Sequence, residues 1–165
     1  MWLVEISLRD YRREDFETLW RIDQQCFARG VAYSQPELAA YIRRWGAFTL
    51  VAESLEPGPA GTPQIVGFIV TEAGRRGVGH IITIDVLPAG RRTGTGSKLL
   101  RAAEERLRAA QCHSVFLETA VDNTAALAFY KRHDYFLVKT MPRYYSNGVD
   151  AFVLRKDLLS EAQAS

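Results

Sequence analysis

From Glu5 to Tyr11 apolar and polar residues alternate with the period of two of a half-buried strand, and beyond it Phe16, Leu19, Trp20, Cys26 and Phe27 recur at helical spacing. After a bend at Gly30, Ser34 stands three residues before Glu37 in a capping box, where each side chain satisfies a free backbone N–H of the other. Tyr41 and Ile42 carry this second helix to about Arg44. Ala47–Ala52 and Ile65–Thr71 read as two strands, and the Pro and Gly content of Glu56–Pro63 between them marks a mobile hairpin loop rather than a domain boundary. A Gly-rich turn over Gly74–Gly79 leads into Ile81–Leu87, a nearly continuous apolar run suited to a central buried strand and closed by Pro88. Over Gly96–Ala110 the residues Leu99, Leu100, Ala103 and Leu107 form one stripe, with Lys98, Arg101, Glu104, Glu105 and Arg108 off it, which predicts an amphipathic helix. Val115–Ala120 is a strand, Asp122 or Asn123 caps the next helix, and Ala126, Phe129 and Tyr130 lie on its inner face until it ends near His133. The tail alternates again, with Asn147-Gly148 supplying the positive φ angles of a tight hairpin turn. The order β-α-α-β-β-β-α-β-α-β-β predicts an α/β or α+β fold on a mixed sheet, with no internal repeat.

At 165 residues and 47% hydrophobic content the chain suits one domain, which the elements place at residues 5–157 with 158–165 as a C-terminal tail. The formal charge is +2 with Lys and Arg spread along the sequence, so no basic tract addresses nucleic acid and a small anionic ligand fits better. Cys26 and Cys112 have no metal-like spacing and read as reduced thiols. His80 and His113 open strands and His133 ends a helix; the three form no metal cluster, so no metal is expected. Trp2, Trp20 and Trp45 read as packing residues and Arg75-Arg76 as a solvated turn. With no secretion signal and no membrane-length apolar run, the expectation is a soluble cytoplasmic protein with no membrane partner, monomeric or homodimeric.

The buried strand ending at Pro88, then Gly90-Arg91-Arg92-Thr93-Gly94-Thr95-Gly96, then a helix, aims unpaired N–H groups and the positive end of a helix dipole at one point. Gly94 and Gly96 let an anion approach the backbone, and Arg91 and Arg92 add charge-assisted hydrogen bonds. An isolated G-x-G is more often a plain turn with solvated arginines; the flanking strand and helix favour a phosphate site. The chain has neither the G-x-x-x-x-G-K-S/T loop of nucleoside triphosphatases nor a G-x-G-x-x-G after its first strand, which argues against a triphosphatase and a dehydrogenase.

Arg91-x-x-Gly94-x-Gly96 after Val86-Leu87-Pro88 resembles the Gln/Arg-x-x-Gly-x-Gly/Ala pyrophosphate signature of GNAT acetyltransferases, and the likeness covers nearly the whole chain. Leu117-Glu118 with Asn123-Thr124-Ala125-Ala126, then Phe129-Tyr130, then Tyr144-Tyr145-Ser146-Asn147-Gly148-Val149-Asp150-Ala151 resemble the protein Nα-acetyltransferases, namely the ribosomal-protein alanine and archaeal N-terminal enzymes. The resemblance implies a single GNAT-type domain, a central mixed and mostly antiparallel sheet flanked by four helices, with acetyl-CoA as cosubstrate and no metal. It further implies that the backbone of Ile84, Asp85 and Val86 pairs with the pantetheine arm like an added strand. Arg91, Arg92, Thr93, Gly94, Thr95, Gly96 and Ser97 would hold the pyrophosphate, and Asn123 would bind the arm further along. His133-Asp134-Tyr135 replaces the usual Leu-Gly-Phe, and Thr95 an aliphatic residue, departures that bear on packing rather than chemistry.

Acetyl transfer from a thioester to an amine needs a neutral amine, a stabilised oxyanion and a proton for the thiolate. Glu118 shares a strand face with Phe116 and Ala120, an apolar setting expected to raise its pKa and suit it as a base, although by itself it reads as well as an exposed or ion-paired residue. The resemblance makes it the general base, acting directly or through water. Tyr130, by position as readily a core residue beside Phe129, becomes the general acid on the same ground. The Val86 N–H is the expected oxyanion donor. Phe27–Tyr33 and Tyr144-Tyr145 flank the acceptor in the resembling enzymes, which makes Tyr33, Tyr144 and Tyr145 candidate substrate contacts. The expected activity is acetyl-CoA-dependent transfer to the N-terminal α-amine of a protein or peptide by direct attack on the thioester. The alternatives are a small-molecule amine or lysine acetyltransferase, or a non-catalytic acyl-CoA-binding module.

Overall fold

Ser34 opens the second helix as its capping box predicts: its side chain accepts from the Glu37 N–H while Glu37 returns a bond to the Ser34 N–H. The computed structural model describes residues 5–58, 61–91 and 93–158. The strands are β1 Ile6–Asp10, β2 Ala47–Pro57, β3 Pro63–Ala73, β4 Val78–Val86, β5 Ser114–Ala120, β6 Phe136–Met141 and β7 Ala151–Asp157. The helices are α1 Phe16–Cys26, α2 Gln35–Arg43, α3 Thr95–Ala109 and α4 Thr124–Arg132. The predicted order of elements is the observed one.

The strands form one sheet in the order β1-β2-β3-β4-β5-β7-β6, antiparallel throughout except for the parallel pair β4 and β5. Each face carries its own core. On one face Leu99, Leu100, Ala103 and Leu107, the stripe read along α3, are fully buried and pack with Tyr130 of α4 against Ile69, Ile81 and Leu117. On the other, Leu19, Ile22 and Leu38 of α1 and α2 cover Val51, Phe68, Val70 and Ile82. Burying each large apolar side chain stabilises the fold by about 1.5–3 kcal/mol relative to exposure, so the two layers clamp the sheet from both sides. Among the described residues no helix is long and apolar enough to cross a membrane.

Two irregularities fall on β4. The β3–β4 register shifts between Val70 and Thr71, where Ile82 is the extra residue, and such a bulge bends its strand. Beyond it, β4 has lost β5: the parallel pairing holds only over Val78–His80 opposite Ser114–Phe116. The two strands part there, although the sheet continues on either side.

Some boundaries moved. β2 and β3 extend to Pro57 and Pro63, well into the segment expected to be a loop, because polar residues such as Gln64 pair at the ends of the ladder. At Asn147-Gly148 only Gly148 has a positive φ, +85°, and its N–H donates to Tyr145 O at 2.9 Å. The Asn147 side chain accepts from the Val149 N–H at 3.1 Å, so this is a turn closed by one left-handed glycine, not the expected two-residue turn. The departures at Thr95 and Asp134 have local explanations. Thr95 is buried with its hydroxyl 2.7 Å from that of Thr93, which donates in turn to Gly90 O. Asp134 sits at φ +69°, in the left-handed position of a helix-ending motif where Asp134 N–H bonds Lys131 O and Tyr135 N–H bonds Tyr130 O.

Candidate active site

The parting of β4 and β5 opens a cleft of about 550 Å³, lined among others by Ile84, Val86, Leu117, Glu118, Asn123, Phe129 and Tyr130. In an antiparallel ladder the residues alternate between bonding their partner strand and facing away from it. The Leu87 N–H donates to Val66 O, so counting back along β4 the Phe68–Asp85 pair bonds across the ladder while Val86 and Ile84 turn their N–H and C=O groups away from β3, toward the gap. Of the three residues expected to meet an extended arm, Ile84 and Val86 therefore face the cleft. Asp85 does not: its main chain serves β3 and its carboxyl is buried on the α1 side, 1% exposed.

The glycine loop lies at one end. Gly94, at φ +80°, is the N-cap of α3, a conformation that favours glycine. Thr95, Gly96 and Ser97 line the cleft with the N–H groups that a helix leaves free in its first turn. Arg91 also lines it, its Nε donating to Val86 O at 3.1 Å; Arg92 lies outside the described residues. Asn123 caps α4, its side chain accepting from the Ala126 N–H at 3.1 Å, and faces the same space.

Glu118 has a neighbour that the strand pattern did not reveal. Its Oε2 is 2.7 Å from His80 Nε2, and the His80 ring stacks on Phe116 with centroids 4.2 Å apart and planes 7° from parallel. The expected apolar setting is thus corrected: the carboxylate leans on an imidazole held flat by an aromatic ring. His80 is the functional candidate that sequence reasoning missed, having been read as a structural residue at a strand start. Leu117 and Val115 pack in the core under α3, so Glu118, alternating with them, faces the opposite side of β5.

Tyr130 lies on the α3–α4 side. Its ring is buried between Phe129 and Tyr135, and its hydroxyl has no hydrogen-bond partner among the described residues. Burial pushes its pKa up, so the hydroxyl holds its proton at neutral pH. The gap between β4 and β5 joins the two sides, with a carboxylate on one and a phenol on the other.

Tyr33, Tyr144 and Tyr145 meet at the other end of the cleft. The Tyr144 and Tyr145 rings make an edge contact at 5.0 Å, and burial raises the pKa of all three, leaving them as neutral hydrogen-bonding groups. The loops that carry them touch: Ser146 Oγ donates to Gly30 O at 2.9 Å, and a Cβ on Gly30 would come within 2.8 Å of Asn147 Cβ. Among the described residues no group of His, Cys, Asp or Glu is arranged to hold a metal ion.

A family model described as Acetyltransferase (GNAT) family matches residues 7–135. The chain is 29% identical over 124 residues to N-alpha-acetyltransferase 30 of Schizosaccharomyces pombe, covering 73% of this chain and 78% of that relative. Of solved structures it is similar to Ard1 from Thermoplasma volcanium, with a TM-score of 0.83, 28% identity and coverage of 95% of this chain and 100% of that one. It is similar also to a chain of the NatC complex bound to Gag peptide and CoA, with a TM-score of 0.81, 28% identity and coverage of 94% and 99%.

Proposed function

The chain belongs to the GNAT family of acetyltransferases and is an acetyl-CoA-dependent acyltransferase, and from that premise we propose that its acceptor is the α-amine at the N-terminus of a protein or peptide. The observation that carries the reading is the parting of β4 and β5 with Glu118–His80 on one side of the gap and Tyr130 on the other.

In this reading the pyrophosphate of acetyl-CoA rests on Arg91 and on the N–H groups of Thr95, Gly96 and Ser97, with Gly94 giving the close approach. Thr93 holds the loop through Gly90 O, and Arg92 is proposed as a second cation there. The pantetheine arm extends β4 along the edge that Ile84 and Val86 turn away from β3, with Asn123 further along, and the thioester comes to the gap. The amine enters between Tyr33, Tyr144 and Tyr145, attacks the thioester carbon and gives its proton to Glu118, directly or through water, with His80 orienting the carboxylate. The Val86 N–H stabilises the oxyanion, and as the C–S bond breaks Tyr130 protonates the leaving thiolate from the opposite side.

The chemistry of the acceptor supports an α-amine over lysine. At a pKa of roughly 7.7–8.0 about a tenth of α-amines are neutral near pH 7, against about one lysine in a few thousand at roughly 10.4. The relatives include N-alpha-acetyltransferases, and the solved NatC complex holds a Gag peptide and CoA. The test is thiol release from acetyl-CoA with short peptides of defined N-termini, the same peptides with blocked N-termini, and one polyamine. Turnover that needs the free N-terminus supports the reading; turnover on the polyamine alone refutes it.

A further inference from the structure

Beneath the acceptor end of the cleft lie two carboxyl groups that acetyl transfer itself does not use. Asp23 on α1 is fully buried and Asp85 on β4 is 1% exposed. Each has one oxygen accounted for: Asp23 Oδ2 accepts from the Tyr33 N–H at 2.7 Å, and Asp85 Oδ1 from Thr83 Oγ1 at 2.5 Å. Among the described residues Asp23 Oδ1 and Asp85 Oδ2 are buried with no donor, and the two carboxyls lie within hydrogen-bonding reach of each other. Among the described residues neither forms a salt bridge. The groups nearest the pair are Cys26 on α1, Tyr33 on the segment after α1 and Thr83 on β4, with Arg91 beyond Cys26 and Tyr130 across the sheet on the α3–α4 side. Burial keeps the Cys26, Tyr33 and Tyr130 side chains protonated at pH 7.

Two ionised carboxylates cannot stay buried side by side, but one proton between them fills both vacant oxygens with a single hydrogen bond. The titration directions agree with this geometry. Burial raises both groups, and Asp85, which Asp23 raises further, goes well above the ordinary carboxylate range. What the pair holds is specific. Tyr33 is gripped by one face of α1: Asp23 takes its N–H, while Trp20 Nε1 and Gln24 Nε2 donate to its carbonyl at 3.1 and 2.7 Å. Its hydroxyl donates to Ile82 O, at the β4 bulge, at 3.3 Å.

We propose that Asp23 and Asp85 share one proton and act together as positioning residues, fastening Tyr33 and the segment between α1 and α2 to β4 so that acceptor binding depends on that proton. Its loss drives the two charges apart, frees the Tyr33 N–H and loosens one wall of the acceptor end. The effect on the acceptor rests on the proposed function; the shared proton does not.

The test compares wild type with Asp85→Asn, whose amide can both accept from Thr83 and donate to Asp23 without carrying a titratable proton, and with Asp23→Asn as a second variant should the first fail to fold. Wild type should show an infrared carbonyl stretch of a protonated carboxyl at neutral pH that Asp85→Asn lacks. At alkaline pH the Tyr33 amide should lose exchange protection, and KM for the peptide should rise several-fold while KM for acetyl-CoA holds. In Asp85→Asn the peptide KM should not show that rise. No protonated carboxyl at neutral pH, or the same alkaline rise in the variant, overturns the proposal. The infrared band and the Tyr33 exchange need no acceptor, so their presence without peptide turnover refutes the N-terminal acceptor and upholds the pair.

Discussion

If Glu118 is the base and His80 acts only by orienting it, replacing the two must give losses that do not add. Glu118→Gln keeps the size of the side chain and a hydrogen-bonding group 2.7 Å from His80 Nε2 but cannot take a proton. General base catalysis contributes about 10²- to 10⁴-fold, so kcat/KM should fall by that factor, about 3–5 kcal/mol in the barrier. His80→Phe keeps the ring stacked 4.2 Å from Phe116 and deletes only the bond to the carboxylate. A hydrogen bond to a charged group is worth about 1.5–3 kcal/mol, which sets the expected loss at roughly ten- to 150-fold.

In a Glu118→Gln background the histidine has no base left to orient, so His80→Phe should then cost less than about threefold. The assay is thiol release at saturating acetyl-CoA over a range of peptide concentrations, with KM for acetyl-CoA as the control that the cofactor end of the cleft is intact. Losses that multiply in the double variant would give His80 a separate role, and an unchanged rate in Glu118→Gln would remove the carboxylate from the mechanism.

Tyr130→Phe keeps the ring contacts with Phe129 and Tyr135 and should lower kcat at least tenfold with KM for acetyl-CoA unchanged; an equal rise in that KM would make the hydroxyl a binding group instead. Gly94→Ala puts a Cβ where the pyrophosphate is proposed to come closest, on a backbone at φ +80° that costs an L residue about 1–2 kcal/mol, so KM for acetyl-CoA should rise about tenfold with kcat nearly constant. Asp134→Gly removes a non-glycine residue from φ +69° at the end of α4 and should stabilise the protein by about 1 kcal/mol in urea unfolding, where a lower midpoint would contradict the reasoning. The raised pKa of Asp85 means the folded state binds more protons than the unfolded one from the ordinary carboxylate range upward, so wild-type stability falls as pH rises through that window. Asp85→Asn lacks this loss and should gain on wild type by up to about 1.4 kcal/mol per pH unit there; a difference that does not change with pH would refute the shift.

What the sequence made legible was local. The capping box at Ser34, the stripe of α3 and the glycine-arginine loop each lie within a few residues, where spacing alone fixes the geometry. His80 was hidden because its meaning lies in another strand. Only the parallel register that sets it opposite Phe116 brings its ring within reach of Glu118, and no periodicity along β4 encodes that. Asp23 and Asp85 were hidden for the same reason, since a helix face and a strand face must be packed before two acids become one pair. The parting of β4 from β5 was implied by the family resemblance but not by the hydrophobic pattern, because the Ile81–Leu87 run is as apolar as a strand paired on both edges.

The acceptor is tested most directly by competition within one molecule: a peptide carrying both a free N-terminus and an internal lysine, incubated with acetyl-CoA and the protein, with the acetyl group located by fragment mass spectrometry. The account predicts a single acetyl group on the α-amine. Acetyl found on the lysine, or on neither amine while a polyamine is consumed, would contradict it.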